Sequence, residues 1–335
     1  MKLTNFLINK NSSCVPIWFM RQAGRYLPEF REIRSKNPDF IKLCLNSQLS
    51  AKITMQPINR FNLDAAIIFS DILMTPYALG QDVNFIKNKG PVLSNFNMDI
   101  FLNNKIENFT NKLIPVYDAI KETRTKLNKE KSLISFVGSP WTLIIYMLKI
   151  NKENNTLDKE IFSKKKAEFD LIFEKLNLFL CAHIKNQINA GADVVQIFDS
   201  WAGLLPKEYL YDYCYKPNKK LVDFCKNNKV SVICFPKGIK DNYSHFLDVV
   251  KPDCLSIDYD IDPEWARTNL SNVCIQGGMN PNVLLLNEKI IYNEAEKYLK
   301  IFNKYPYIFN LGHGLLPETN PDKLEKLIRF VREYN

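Results

Sequence analysis

The sequence predicts an α/β chain folded as a single (β/α)8 (TIM) barrel, with its active site at the C-terminal ends of the strands. Three observations carry this. Eight short apolar runs, many of them β-branched, recur along the 335 residues. Stretches with helical periodicity separate most of them. Each run is followed by polar or small residues. Short continuous apolar runs fit strands covered on both faces, as in parallel sheets. Strands alternating with helices give a parallel α/β architecture, and barrels of this kind carry their sites where the strands end. An open doubly wound sheet is the structural rival, but no G-x-G-x-x-G follows the first run. No repeat and no linker-like change of composition divides the chain, so 1–335 is read as one domain.

The first run is Ile17-Trp18-Phe19-Met20, followed by Arg21. Ala65-Ala66-Ile67-Ile68-Phe69 leads to Ser70-Asp71, and Leu133-Ile134-Ser135-Phe136-Val137 to Gly138-Ser139-Pro140-Trp141. Val194-Val195-Gln196-Ile197-Phe198 precedes Asp199-Ser200-Trp201, and Val230-Ser231-Val232-Ile233-Cys234-Phe235 precedes Pro236-Lys237-Gly238. Cys254-Leu255-Ser256-Ile257 ends at Asp258, and Val273-Cys274-Ile275-Gln276 at Gly277-Gly278. Tyr307-Ile308-Phe309-Asn310-Leu311 leads to Gly312-His313-Gly314. The clearest helix runs from Phe162 to Ala190. Phe169, Ile172, Phe173, Leu176, Phe179 and Leu180 share its face, and Gly191 stops it. Pro281 to Phe302 and Pro321 to Tyr334 read the same way.

Composition narrows the function classes. A chain that is 46% hydrophobic can bury a large core, and 24% charged residues argues against wholesale disorder. No apolar run reaches the roughly 18 residues of a membrane helix. The first 15 residues lack the sections of a signal peptide. The eight cysteines are scattered with no C-x-x-C, which points to buried reduced thiols in a cytoplasmic protein. The net charge of +9 reflects mostly Lys/Asn-rich segments such as 151–155 and 164–166, and it also suits an acidic ligand. No basic stripe is interleaved with aromatics, so nucleic acid is not an expected partner.

Lysine is the default cation here. Only nine of the 45 basic residues are arginine, yet four of those nine are Arg21, Arg25, Arg31 and Arg34. Arginine grips carboxylate or phosphate with two bonds, so the cluster suggests an anion. Arg21 and Arg25, four apart, would face one way on a helical turn. Arg34 could join them, while Arg31 reads most simply as a surface residue. Asp71 ends a buried run, where a carboxylate needs a cation, a helix cap or a ligand donor. His313 lies between two glycines, which would let backbone approach a ligand. His183 and His245 lie in helical stretches and read as structural. Cys181 and His183, two apart on a helix, point to different sides and are not a metal pair. Tyr146 alone reads as core. Ser200 has no nucleophile motif around it, so it is a hydrogen-bonding candidate.

Pro16 to Arg34, with Met20-Arg21-Gln22-Ala23-Gly24-Arg25-Tyr26-Leu27-Pro28-Glu29 at its centre, is the most specific segment of the chain. With Phe69-Ser70-Asp71-Ile72-Leu73, Gly138-Ser139-Pro140-Trp141-Thr142-Leu143, Phe198-Asp199-Ser200-Trp201-Ala202-Gly203, Phe235-Pro236-Lys237-Gly238 and Asn310-Leu311-Gly312-His313-Gly314, it resembles the uroporphyrinogen decarboxylase family of haem biosynthesis. Gly277-Gly278-Met279-Asn280-Pro281 departs from that family's usual turn, and Ile239-Lys240 is also less usual.

The resemblance implies a (β/α)8 barrel and a homodimer without cofactor or metal. The reaction implied is removal of carbon dioxide from four acetate side chains of uroporphyrinogen III, giving coproporphyrinogen III. It implies that Asp71 faces the pyrrole N–H groups and stabilises the transition state. Arg21 and Arg25 would hold carboxylates, with Arg21 a possible participant in the chemistry. Gln22, Ala23 and Gly24 would complete that binding turn. Tyr146, Ser200 and His313 would bond side-chain carboxylates, with Arg34 assisting. Two rivals make different demands. A related zinc-dependent barrel methyltransferase needs His-x-Cys plus a distant Cys at strand ends, which this chain lacks. A non-catalytic tetrapyrrole carrier would keep the arginines and have no need of Asp71.

Overall fold

The computed structural model describes residues 2–10, 15–86, 90–150, 157 and 160–334. Cys14 and most of the polar segment 149–159, for which the sequence left lid and surface loop both open, lie outside the described residues. Seven parallel strands form one curled sheet. They are β1 (Ala65–Ile67), β4 (Ser132–Gly138), β5 (Val194–Asp199), β6 (Ser231–Pro236), β7 (Cys254–Ile257), β8 (Cys274–Gly277) and β9 (Tyr307–Ile308). Their spatial order follows the chain, β1-β4-β5-β6-β7-β8-β9, and every pair is parallel. Helices connect them, as right-handed crossovers between parallel strands require.

The expected eighth strand is not formed, and the complete eight-stranded barrel is to that extent corrected. The run Ile17–Met20 makes one bridge, Ile17 to Phe309. Trp18 N–H donates to Phe309 C=O at 3.4 Å, and Asp64 N–H to Ile17 C=O at 2.9 Å. The run therefore lies between the two edges of the sheet. It is cut short because the chain turns at once after Met20 (Gln22 N–H to Phe19 C=O, 3.1 Å).

Two further differences have local causes. An antiparallel hairpin, β2 (Val83–Ile86) and β3 (Gly90–Leu93), was not expected. Its strands are short and largely exposed, so they leave no apolar run to read. The helix expected over 162–190 is two helices, Glu160–Lys164 and Lys166–Asn189. Gly191, at φ +110, ends the second as expected. The stretch from Pro281 begins as a 3-10 turn, Pro281–Leu285, before the helix Glu288–Ile301 capped by Asn287.

One apolar cluster fills the inside of the sheet: Trp18, Met20, Ala65, Ile67, Ile134, Val194, Ile233, Phe235, Cys254, Cys274 and Ile308. The helix Leu3–Asn9 closes its lower end with Leu3, Phe6 and Leu7. Its bonds fall on residues that begin or precede strands: Thr4 N–H to Ser132 Oγ, Lys2 to Asp193 at 2.7 Å, and Lys10 to Asn272 C=O. Above this layer sits a buried polar chain. Trp18 Nε1–H donates to Gln276 Oε1 at 2.8 Å, and Gln276 Nε2 donates to Ser256 Oγ at 2.6 Å. With the lower end plugged, the open end is the one where the strands finish.

Candidate active site

Asp71 follows β1 and is anchored from below. Ser50 Oγ donates to Phe69 C=O at 2.6 Å, and Phe69 N–H donates to Thr54 Oγ1 at 2.9 Å, so the helix Ser47–Phe61 grips the strand end. Asp71 Oδ1 accepts from Leu73 N–H at 2.8 Å. Its other oxygen has no partner among the described residues. Asp71 keeps some accessible surface yet is strongly desolvated by surrounding protein. Burial raises its carboxyl pKa to about 6, against the Leu73 hydrogen bond and the charge of Arg21, which pull it down.

Arg21 occupies the third position of the Phe19–Gln22 turn at φ +60, where glycine is the usual occupant. The loop after β9 holds it there. Leu315 N–H donates to Met20 C=O at 2.9 Å, and Arg21's side chain lies against Gly314 so closely that a Cβ at 314 would collide with it. Gly312 packs on the backbone of Asp258 and Tyr259. The glycines flanking His313 thus make room for protein, not for a ligand as the sequence suggested.

His313 Nδ1 accepts from Gly314 N–H at 2.6 Å, so the neutral ring carries its proton on Nε2. Burial, then the charges of Arg21 and Lys237, lower its pKa to about 4. At neutral pH it is an uncharged donor. Tyr146 lies on the helix Pro140–Met147, its ring edge-on to Trp201 at 6.1 Å. Burial raises its pKa, so the hydroxyl keeps its proton. The charges of Asp71 and Arg21 both reach Tyr146, and that of Arg21 reaches His313. Arg21, Asp71, Tyr146 and His313 therefore form one group over the open end.

Ser200 is half-buried in the turn after β5, next to Trp201. That turn is fixed by Asp199, which accepts from Thr142 Oγ1 at 2.7 Å and Asn218 Nδ2 at 3.0 Å. Ala23 and Gly24 are half-buried in the turn after Arg21. Gln22 is fully buried, and its side chain accepts from Phe19 N–H and donates to Ala65 C=O, both at 3.0 Å. What it offers a ligand is the shape of the turn, because its amide is already used. Arg25 is exposed, and Arg31 Nη1 supports it by donating to the Arg25 and Tyr26 carbonyls at 2.9 Å. Arg31 is thus a brace for the loop, a role the sequence did not suggest.

Arg34 turns to its own helix end, donating to Asn37 C=O at 2.5 Å and lying over Phe40. Its guanidinium is engaged there. Lys237, which sequence reasoning placed on the rim but not among the site residues, is half-buried with no partner for its ammonium among the described residues. Its position directly after β6 was the available signal.

The remaining polar groups are structural. His183 Nδ1 meets Tyr117 Oη at 3.0 Å, and burial lowers its pKa to about 3. His245 packs edge-on to Tyr215. Six of the described cysteines are buried and Cys181 is half-buried, all unpaired. Among the described residues no three His, Cys, Asp or Glu side chains gather as metal ligands. Asn280, in the departing turn, caps the 3-10 helix by accepting from Asn282 N–H.

A curled parallel sheet that gathers a desolvated carboxylate, an arginine, a neutral imidazole and a tyrosine at its strand ends has the layout of an α/β enzyme. The family model for uroporphyrinogen decarboxylase (URO-D) matches residues 2–334. The chain belongs to the uroporphyrinogen decarboxylase family. The relative of that name from Rickettsia bellii is 41% identical over 340 residues, covering 100% of this chain and 99% of its own. The one from Orientia tsutsugamushi (strain Boryong) is 41% identical over 341 residues, covering 100% and 98%. Among solved structures, a methyltransferase from Methanosarcina mazei superimposes with a TM-score of 0.74 at 17% identity, covering 99% of this chain and 97% of its own. A B12-independent methionine synthase from Shewanella sp. W3-18-1 gives 0.56 at 12%, covering 86% and 88%. At those identities the likeness concerns the fold alone.

Proposed function

We propose that this chain is a carboxy-lyase that decarboxylates the four acetate side chains of uroporphyrinogen III to give coproporphyrinogen III, without a cofactor. Family membership over the full length supports the reaction class. The observation that carries the residue roles is Asp71, a desolvated carboxylate within the field of Arg21, with one oxygen already bonded and the other open.

The substrate presents carboxylates and four pyrrole N–H donors. Arg21 and Arg25 suit the former, Asp71 the latter. The Nε2–H of His313, the Tyr146 hydroxyl and Ser200 supply neutral hydrogen bonds to carboxylates, and Lys237 adds a cation. Arg34, engaged with Asn37 C=O and Phe40, contributes its field rather than hydrogen bonds. In the reaction a proton adds to a pyrrole carbon, the bond from the acetate methylene to its carboxylate breaks, and carbon dioxide leaves. The electron pair neutralises the cationic ring, and a second protonation with loss of the first proton leaves a methyl group. The net change is one proton taken up per carbon dioxide released. An ionised Asp71 beside the ring nitrogens stabilises the cation, as preorganised charge does for other transition states. Arg21 aims the reacting acetate. Its high pKa makes it a poor acid, so a bound water or Asp71 itself is the better proton donor.

The same reading takes 1–335 as one domain, with segment 17–20 closing the sheet into an eight-membered barrel, and a cytoplasmic homodimer as the working form. The deciding experiment is incubation with uroporphyrinogen kept reduced, then chromatography of the oxidised products. Seven- to four-carboxylate porphyrins are expected; their absence sinks the assignment.

A further inference from the structure

Asn310 follows β9 and is 0% exposed. Ile308, two residues before it, lies in the inner cluster, so Asn310 continues the inward face toward the open end. Its Oδ1 accepts two backbone N–H groups, that of Met20 at 3.1 Å and that of Leu311 at 2.8 Å. Its Nδ2 is buried without a hydrogen-bond partner among the described residues. The two accepted bonds fix which end of the amide is oxygen, so the idle end is the donor. An unsatisfied buried donor is costly, and a purely structural position would favour a side chain without one.

The Met20 bond is significant because of what comes next. Arg21 stands at φ +60, a conformation that non-glycine residues hold only when the surroundings enforce it. The residue before it is bonded on both sides by one loop, through Asn310 Oδ1 at its N–H and Leu315 N–H at its C=O.

We propose that Asn310 is a positioning residue for the decarboxylation: it sets the left-handed turn that aims the Arg21 guanidinium over the open end of the sheet. This rests on the reading of Arg21 given under the proposed function.

The test is a double-mutant cycle of Asn310→Ala with Arg21→Ala, read as single-turnover decarboxylation rates. Asn310→Ala is expected to slow the wild-type background by about 10- to 100-fold and the Arg21→Ala background by less than about 3-fold, because groups acting as a unit are not additive. Equal factors in both backgrounds, or no loss at all, overturn the proposal. If Asn310→Ala does not fold, as judged by circular dichroism, Asn310→Ser replaces it with the same expectations. If the wild type does not turn over uroporphyrinogen, the proposed function fails on its own. The cycle is then read in the Kd for uroporphyrin, the fluorescent oxidised octacarboxylate, where the same non-additivity is expected and equal factors overturn the positioning role.

Discussion

Ionising Asp71 in its desolvated place works against the fold. With a folded pKa of about 6 against an ordinary value near 4, the charged form costs roughly 3 kcal/mol. The folded state holds a proton that the unfolded state has lost between those two values, so this contribution falls as pH rises through that window. Asp71→Asn removes the cost. The variant is therefore expected to melt higher at pH 7 than the wild type, while kcat drops by about 100-fold or more. Thermal melts and steady-state kinetics read the two effects separately, and a normal kcat would remove Asp71 from the chemistry. The same titration predicts a pH profile. If ionised Asp71 is needed, kcat/KM falls as pH drops below about 6, and this limb disappears in Asp71→Asn. Asp71 was legible from sequence because a carboxylate directly after a buried run has few harmless explanations. Arg31, Asn310 and the second role of Gly314 were not legible. Asn310 and Gly314 act on partners nearly 300 residues away, and Arg31 folds back on two nearby backbone carbonyls outside its helix; no local pattern encodes either kind of contact.

At the scale of elements, the loop after β9 is what assembles the site. It bonds Met20 on both sides, gives Arg21 its bed at Gly314 and supplies His313. Gly314→Ala should displace the Arg21 side chain and lower kcat/KM by about 10-fold or more with a smaller effect on melting temperature, since the added Cβ meets the flexible Arg21 side chain rather than backbone. A kcat/KM within twofold of wild type would show that Arg21 has other room. The alternation of strands and helices was legible because parallel strands buried on both faces leave continuous apolar runs. The hairpin of β2 and β3 was not, since half-exposed strands carry no such run. The first run misled for a related reason. Ile17–Met20 is as apolar as a strand because it lines the interior, but the turn at Arg21 leaves it length for one bridge only.

The whole molecule divides support from chemistry by its two ends. The helix Leu3–Asn9 seals one end of the sheet interior, and the candidate site occupies the other. Phe6→Ala is expected to cost about 3–5 kcal/mol of stability, while the kcat of the folded fraction at low temperature stays near wild type. Denaturant titration and kinetics at 15 °C check this, and a large loss of kcat without loss of stability would contradict the division. The gathering of strand ends was legible as a list of polar residues after each run. Which of them meet was not, because closure depends on segments at opposite ends of the chain. That dependence bears on synthesis. Arg21 leaves the ribosome early, but its turn is held by residues 310–315, so it is not aimed until nearly all of the chain has followed. A nascent or prematurely terminated chain can therefore collapse around its early strands without acquiring the activity. Competence arrives in one step, when the late loop docks on the early turn.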